Sequence, residues 1–177
     1  MQKKHFALAL LSVILLMGCA GETNVSTMII DKNGAVQSYI VEDFTASYYD
    51  VEELRNSVLE DISYVNEQHE QTAIELTKYE VVEGVLKAII EYQNADVYED
   101  FNEETLYVGL WDEALDEGYD VTAEMENDNY RIVIFSEPVD VKVPKKIVYV
   151  SDGLQKTSSK KVTVTDKEKE IYYIIYE

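Results

Sequence analysis

Few side chains in this sequence could carry out covalent chemistry or bind a transition metal. The chain of 177 residues has one cysteine, Cys19, and two histidines, His5 and His69. A zinc site needs three or four nitrogen or sulfur ligands, and His69 alone remains if His5 is removed with the N-terminal segment and Cys19 is modified, as argued below. A serine–histidine–aspartate triad would need His69, which lies among glutamines and glutamates typical of an exposed helix end. We therefore expect neither a zinc site nor a nucleophilic triad.

Carboxylates, in contrast, are abundant, with 35 Asp or Glu residues. The densest cluster, around Trp111 and Gly118, comprises Asp112, Glu113, Asp116, Glu117 and Asp120. Because Ca²⁺ takes six to eight oxygen ligands, this cluster is a weak calcium candidate. The EF-hand pattern fails, since Gly118 at its sixth position would place Leu115 at the third. A solvated acidic face is the reading we favour, and no other cofactor is expected.

A pair of carboxylates is also the machinery of glycoside hydrolysis. Among 35 acids, however, any two fall at a plausible distance by chance, and no pair stands in an aromatic setting. The sequence also lacks a glycine-rich phosphate loop and a Gly-x-Ser-x-Gly motif. We predict that the protein is not an enzyme, with a small carboxylate-pair hydrolase as the alternative.

Aromatic side chains close to the acidic cluster are the candidates for a binding surface. Trp111, Tyr107 and Tyr119 would give a rigid contact area with polar tips for a carbohydrate or a peptide. Many of the other tyrosines lie in predicted strands, where cross-strand packing is the expected role.

The N-terminus has the layout of a secretion signal. Lys3 and Lys4 precede an uncharged, mostly apolar run over 6–17. This run is too short to span a bilayer as a helix. It ends at the four residues 16–19, which are Leu-Met-Gly-Cys.

This ending resembles the lipobox of bacterial lipoproteins. Leu16 and Gly18 fit the family pattern, and Met17 is a less usual residue at its position. The resemblance implies a diacylglyceryl group on the thiol of Cys19 and cleavage just before it. It therefore implies a protein anchored by membrane lipid on the extracytoplasmic side of the cell membrane. An ordinary signal peptide with an incidental cysteine is the alternative.

The resemblance divides the chain into a signal peptide (1–18), a lipidated tether (19–24) and one domain (25–177). A boundary within that domain near 137–144, where the composition changes, is the alternative. After removal of the signal peptide, 13 Lys or Arg stand against 35 Asp or Glu, a net charge of −22.

Charge is distributed unevenly over the mature chain. Residues 19–140 hold 30 acids and five bases, whereas residues 141–177 hold eight lysines and five acids. No basic footprint of the kind that nucleic acids require is present, so we expect no nucleic-acid partner. The acidic stretch 96–128 is expected to meet a basic peptide, a cell-wall polymer or a cation. Solubility alone is the other explanation for this acidity.

Hydrophobic spacing, caps and turn residues predict the secondary structure. Asp50 and Asn94 are predicted N-caps, and Asn33-Gly34 and Glu83-Gly84 are predicted hairpin turns. The predicted strands are 25–31, 35–41, 72–82, 85–92, 105–109, 130–135, 139–143, 146–150, 161–165 and 171–176. The predicted helices are a long one of 16–18 residues from Val51, a short one over 95–101 and a turn over 111–116. Proline at both ends marks 139–143 as an edge strand.

This order predicts an α+β fold. We expect an antiparallel sheet built of hairpins, one long amphipathic helix packed on one face, and a C-terminal β-meander. With no catalytic motif, the expected function is that of a non-enzymatic binding or interaction module. A structural subunit of envelope assembly is a further alternative.

Overall fold

The computed structural model of the protein describes residues 24–46, 48, 50–69, 72–121, 125 and 129–177. In these ranges the strands are β1 (Thr27–Ile30), β2 (Val36–Asp43), β3 (Ile74–Val82), β4 (Val85–Tyr92), β5 (Leu106–Leu110), β6 (Arg131–Phe135), β7 (Asp140–Lys142), β8 (Ile147–Val150), β9 (Leu154–Lys156), β10 (Lys161–Val164) and β11 (Tyr172–Tyr176). The helices are α1 (Val51–Gln68), α2 (Ala95–Asn102) and α3 (Trp111–Asp116). None of these three helices is both long enough and apolar enough to cross a membrane.

The strands form two sheets. The first has the order β3-β4-β2-β1-β7-β10-β9 and the second the order β5-β6-β11-β8. Among the strand pairs that the structure describes, β1 and β7 run parallel, and the others run antiparallel. The predicted α+β class with largely antiparallel pairing is confirmed, whereas the prediction of a single sheet is wrong.

The C-terminal strands do not form the predicted meander. β9 and β10 pair with each other in the first sheet, while β8 and β11 pair in the second. The chain changes sheets after β8, at Ser151. The backbone N–H of Ser151 donates to the carbonyl of Tyr173 at 2.9 Å, and its Oγ accepts from the Tyr173 N–H at 2.9 Å. These bonds satisfy a buried polar residue at the point where the chain leaves the second sheet.

The strand between the two prolines lies inside the first sheet, although proline at both ends predicted an edge strand. β7 pairs with β1 on one side and with β10 on the other. Its paired residues are only Asp140–Lys142, so neither proline interrupts the ladder. Val141 and Val143 are fully buried in the core.

The helix α1 begins at Asp50, whose side chain accepts hydrogen bonds from the N–H groups of Glu52 and Glu53. Its apolar stripe is buried only in the C-terminal half, at Ile62 and Val65, while Leu54 remains 38% exposed. We expected one long helix to pack along a sheet face over its whole length. Only the C-terminal half of α1 packs against the core. Val97 and Tyr98 of α2 are also buried in the core. Asn94 caps this helix close to the end of β4.

One apolar cluster joins both sheets with α1 and α2. It contains Met28 and Val162 from the first sheet and Phe135 and Tyr172 from the second, all 1% exposed or less. A second, smaller cluster lies on the opposite face of the second sheet, because side chains alternate between faces along β6 and β11. Ala114 of α3 is buried in that smaller cluster.

The side chain of Asn66 near the end of α1 holds the start of β3. Its Oδ1 accepts from the N–H groups of Ala73 and Ile74, both at 2.8 Å, and its Nδ2 donates to the Ile74 carbonyl at 2.9 Å. Asn66 thus pairs with the outer edge of β3 as a neighbouring strand would. This contact positions the strand that forms one wall of the groove described next.

Candidate functional site

A groove of about 600 Å³ opens on the outer face of the first sheet, at the end where β1 stops. Its volume lies within the range of about 300–1,000 Å³ that is usual for ligand pockets. The residues that line it are Ile29, Asp31, Ala35, Val36, Gln37, Thr72, Ala73, Ile74, Glu75, Ile89, Glu91, Tyr92, Gln93 and Lys142.

The strand register places five of these residues in one row across the sheet. Glu75 of β3 lies opposite Glu91 of β4, and Glu91 lies opposite Gln37 of β2. Gln37 in turn lies opposite Ile29 of β1, and Ile29 lies opposite Lys142 of β7. We call these five residues the groove row. Because Met28 and Ile30 point into the core, Ile29 and the rest of the row point away from it.

Charge is separated along the groove row. Two exposed carboxylates, Glu75 and Glu91, stand at one end and the half-buried Lys142 stands at the other. The Gln37 Nε2 donates to Glu91 Oε1 at 2.9 Å, which fixes one of these carboxylates in the groove. Neighbouring strands are about 4.8 Å apart, so Glu91 and Lys142, three strands apart, are separated by about 14 Å.

The floor between the charged ends is apolar. Ile29 and Ile89, both on the outer face of the first sheet, are half-buried. Asp31 also lines the groove, but its Oδ1 already accepts from the N–H groups of Asn33 and Ala35 in the β1–β2 turn. Glu75 and Glu91 are therefore the carboxylates that a ligand would meet.

A second pocket, of about 150 Å³, lies near the other end of β1 and contains Glu137. The buried Tyr98 hydroxyl donates to Glu137 Oε2. Burial raises the pKa of the Glu137 carboxyl above its ordinary value, while the hydrogen bond from Tyr98 lowers it and the charges of Glu104 and Glu42 raise it. Burial also raises the pKa of Tyr98. Glu137 is thus a half-buried carboxyl whose pKa lies above its ordinary value.

The raised pKa of Glu137 gives a pH-dependent stability. Since the pKa is higher in the folded than in the unfolded state, the folded state gains from protonation, and this gain is lost as pH rises above about 4.5. Glu137→Gln removes the titrating group and keeps an oxygen acceptor for Tyr98. We expect its melting temperature to rise relative to wild type as the pH increases from 4 to 7, measured by circular dichroism.

The exposed Glu170→Gln serves as the control for that measurement, since it makes the same chemical change outside the pocket. A difference between Glu137→Gln and wild type that stays constant over this pH range would contradict the raised pKa.

The three aromatic candidates from the sequence come together, but as packing. The rings of Tyr107 and Tyr119 lie 5.1 Å apart, and both residues pack with Trp111 against the smaller apolar cluster. All three are half-buried. Burial, with the charges of Glu117 and Glu113, raises the pKa of Tyr107 to about 12. Their main contacts are therefore with the second sheet.

The acidic candidates from the sequence lie in α3 and directly after it. In the part of the chain that the structure describes, no three His, Cys, Asp or Glu side chains converge in a way that could hold a metal ion. Asp112 is half-buried, and four further carboxylates of the cluster are exposed, namely Glu113, Asp116, Glu117 and Asp120. His69 ends α1, with Nε2 3.8 Å from Asp100 Oδ2. The lipidation candidates Leu16, Gly18 and Cys19 lie outside the described residues.

Comparison of the chain with protein-family models, with curated proteins and with solved structures finds no match. The groove row was not among the candidates from the sequence. The local sequence signal for the groove is an isoleucine at an outward strand position, which occurs at Ile29 and at Ile89. Lys142 lies next to Ile29 only because β7 pairs with β1. No feature of the sequence predicts that pairing.

Proposed function

We propose that the protein is a lipid-anchored, extracytoplasmic binding module that takes a short cationic peptide in the groove. The observation that supports this proposal is the groove row, in which two carboxylates and a lysine flank an apolar floor. A groove with carboxylates at one end and a lysine at the other favours a ligand with positive charge at one end and negative charge at the other.

The length of the groove row fits a peptide. Glu91 and Lys142 are about 14 Å apart and Glu75 and Lys142 about 19 Å, by strand spacing. An extended chain advances about 3.3 Å per residue, so four to six residues span this distance. A basic N-terminal part would lie against Glu75 and Glu91, apolar side chains over Ile29, and the carboxylate near Lys142. The partner is still the basic peptide expected from the sequence. Its proposed binding site is the groove and no longer the 96–128 stretch.

The proposed anchor is the lipid on Cys19, on the strength of the lipobox resemblance. The acidic domain would be repelled by an anionic leaflet, so the acyl chains must supply the attachment. β1 begins near the tether and ends at the groove. The groove therefore lies at the end of the first sheet that is farther from the proposed anchor.

The hydrolase alternative has no comparable support. Glu137 has the raised pKa of a general acid, and Glu42 lines the same pocket. At about 150 Å³, however, that pocket is below the range of about 300–1,000 Å³ for ligand sites. No described contact favours the structural-subunit alternative over the binding module.

Calorimetric titration tests the proposal. The full-length, lipidated protein is held in phosphatidylcholine nanodiscs and titrated with a six-residue peptide carrying two N-terminal lysines, four small apolar residues and a free carboxylate. We expect binding that weakens as salt rises from 50 to 500 mM. Glu75→Gln with Glu91→Gln should weaken it about tenfold, since each exposed ion pair contributes at most about 1 kcal/mol.

The matched control is Glu168→Gln with Glu170→Gln, which makes the same change in charge at exposed positions outside the groove. A second control is the same peptide with glutamates in place of its lysines. Equal affinity for both peptides, or equal weakening by both pairs of substitutions, would overturn the proposed function.

A further inference from the structure

A lysine-rich surface lies at the same end of the first sheet as the groove. Four lysines are exposed here: Lys145 and Lys146 follow β7, Lys156 is the last residue of β9, and Lys160 lies between β9 and β10. We call these four residues the lysine surface. In residues 141–161 there are six lysines and a single acid, Asp152, although the chain as a whole has a net charge of −20.

The fold brings the two segments of the lysine surface together. The N–H of Val143 donates to the Lys160 carbonyl at 2.9 Å, and the N–H of Ile147 donates to the Ser159 carbonyl at 2.8 Å. Two of the lysines add their own contacts: Lys156 Nζ donates to the Ile147 carbonyl at 2.8 Å, and Lys160 Nζ donates to the Pro144 carbonyl at 2.7 Å. The lysine surface is thus a defined patch, held by backbone bonds.

Little of this charge is neutralised within the described residues. Lys146 lies 3.6 Å from Glu177, and both side chains are at least half exposed. Neither Lys145, Lys156 nor Lys160 has a carboxylate within 4.0 Å in the described ranges. Like charges gathered without counter-charges favour an anionic partner.

We infer that the lysine surface binds an anionic polymer outside the membrane, of the class whose chain carries regularly spaced phosphates. Lysines act as point charges on flexible stems, and this suits a mobile chain better than a fixed, bidentate ligand. Because the chain as a whole has a net charge of −20, a polyanion is attracted to this patch and repelled by the acidic body. The contact is therefore confined to this patch.

The strand directions favour a polymer over the protein's own membrane. β7 runs parallel to β1, and Lys145 and Lys146 follow its end. The lysine surface therefore lies at the end of the first sheet that is farther from the N-terminal tether. With Cys19 as the anchor, as the proposed function has it, this end points away from the leaflet.

The test uses the full-length, lipidated protein in phosphatidylcholine nanodiscs, with inorganic polyphosphate as the ligand and a salt series. Substitution of Lys145, Lys146 and Lys160 by Gln is expected to weaken polyphosphate binding on the order of 100-fold. Each lysine near a polyanion raises the affinity by about tenfold or less. The dependence of the logarithm of affinity on the logarithm of salt concentration should become shallower by about two. The groove variant Glu75→Gln with Glu91→Gln should leave polyphosphate binding no weaker, which separates this inference from the peptide proposal.

The matched control is Lys87→Gln with Lys167→Gln and Lys169→Gln, which removes the same charge elsewhere on the chain. Lys145→Gln with Lys146→Gln is a milder variant that removes no hydrogen bond from a lysine to the backbone, and it should weaken binding about tenfold. Equal loss in control and test variants would overturn the inference. So would protection of segment 142–161 from hydrogen exchange by nanodiscs that contain anionic lipid, in the absence of polyphosphate, because it would identify the membrane as the partner.

Discussion

Cells that express the Cys19→Ala protein are expected to show no incorporation of a fatty-acid analogue into it, whereas the wild-type protein is labelled. The reason is chemical, since Cys19 carries the only thiol in the chain and the proposed acyl attachment needs that sulfur. Two or more acyl chains, at about 0.8 kcal/mol per buried methylene, hold a protein stably in a bilayer. Without the acyl chains, the Cys19→Ala protein should therefore be lost from the membrane fraction completely.

The measurement combines labelling with fractionation of the membranes. Ala20→Ser is the matched control, because it changes the adjacent residue and keeps the sulfur, so it should be labelled and retained like wild type. If the Cys19→Ala protein still carried the label, the lipoprotein proposal would be wrong. If labelling were lost from both variants, the effect would belong to the signal segment and not to the thiol.

Asn66→Ala is expected to destabilise the fold by about 2–4 kcal/mol, the largest effect that we predict on stability. Three hydrogen bonds from the Asn66 side chain to Ala73 and Ile74 would be lost. Two of the abandoned partners belong to Ile74, which is 1% exposed. Each buried polar group that loses its partner costs about 1–3 kcal/mol, partly offset by water that can reach the half-buried position of Asn66. Urea unfolding followed by circular dichroism measures the change.

Asn56→Ala on the same helix makes the identical substitution at an exposed position. It should change the free energy of unfolding by less than about 0.5 kcal/mol, because surface changes away from such contacts are small. Asn66→Asp, which keeps the acceptor and loses the donor, should fall between Asn66→Ala and wild type. Equal effects of Asn66→Ala and Asn56→Ala would show that Asn66 does not hold β3.

The features that could be predicted from the sequence are those encoded within a few residues. Asp50 and Asn94 cap their helices because their side-chain oxygens reach N–H groups two or three residues on. The turn at Glu83-Gly84 adopts positive φ at both positions, 53° and 77°, as a tight hairpin requires. Such signals act locally, and tertiary contacts did not override them.

The features that could not be predicted depend on pairings between distant segments. β1 pairs with β7, and β8 leaves its sequence neighbours to pair with β11. Neither turn chemistry nor hydrophobic period specifies such partners. The groove row follows from one of these pairings, since Lys142 reaches Ile29 only through β7. The sequence showed that aromatic residues lie close together around Trp111. It did not predict that they pack against the second sheet.

The peptide itself can report where it binds. The same dilysine peptide, carrying a photoreactive diazirine on a central apolar residue, is irradiated on the lipidated protein in phosphatidylcholine nanodiscs, and the attachment sites are mapped by mass spectrometry. The groove proposal predicts attachment at or directly beside Ile29 or Ile89, and its loss when Glu75→Gln and Glu91→Gln are combined. Attachment at Tyr107, Trp111 or Tyr119 instead would contradict it.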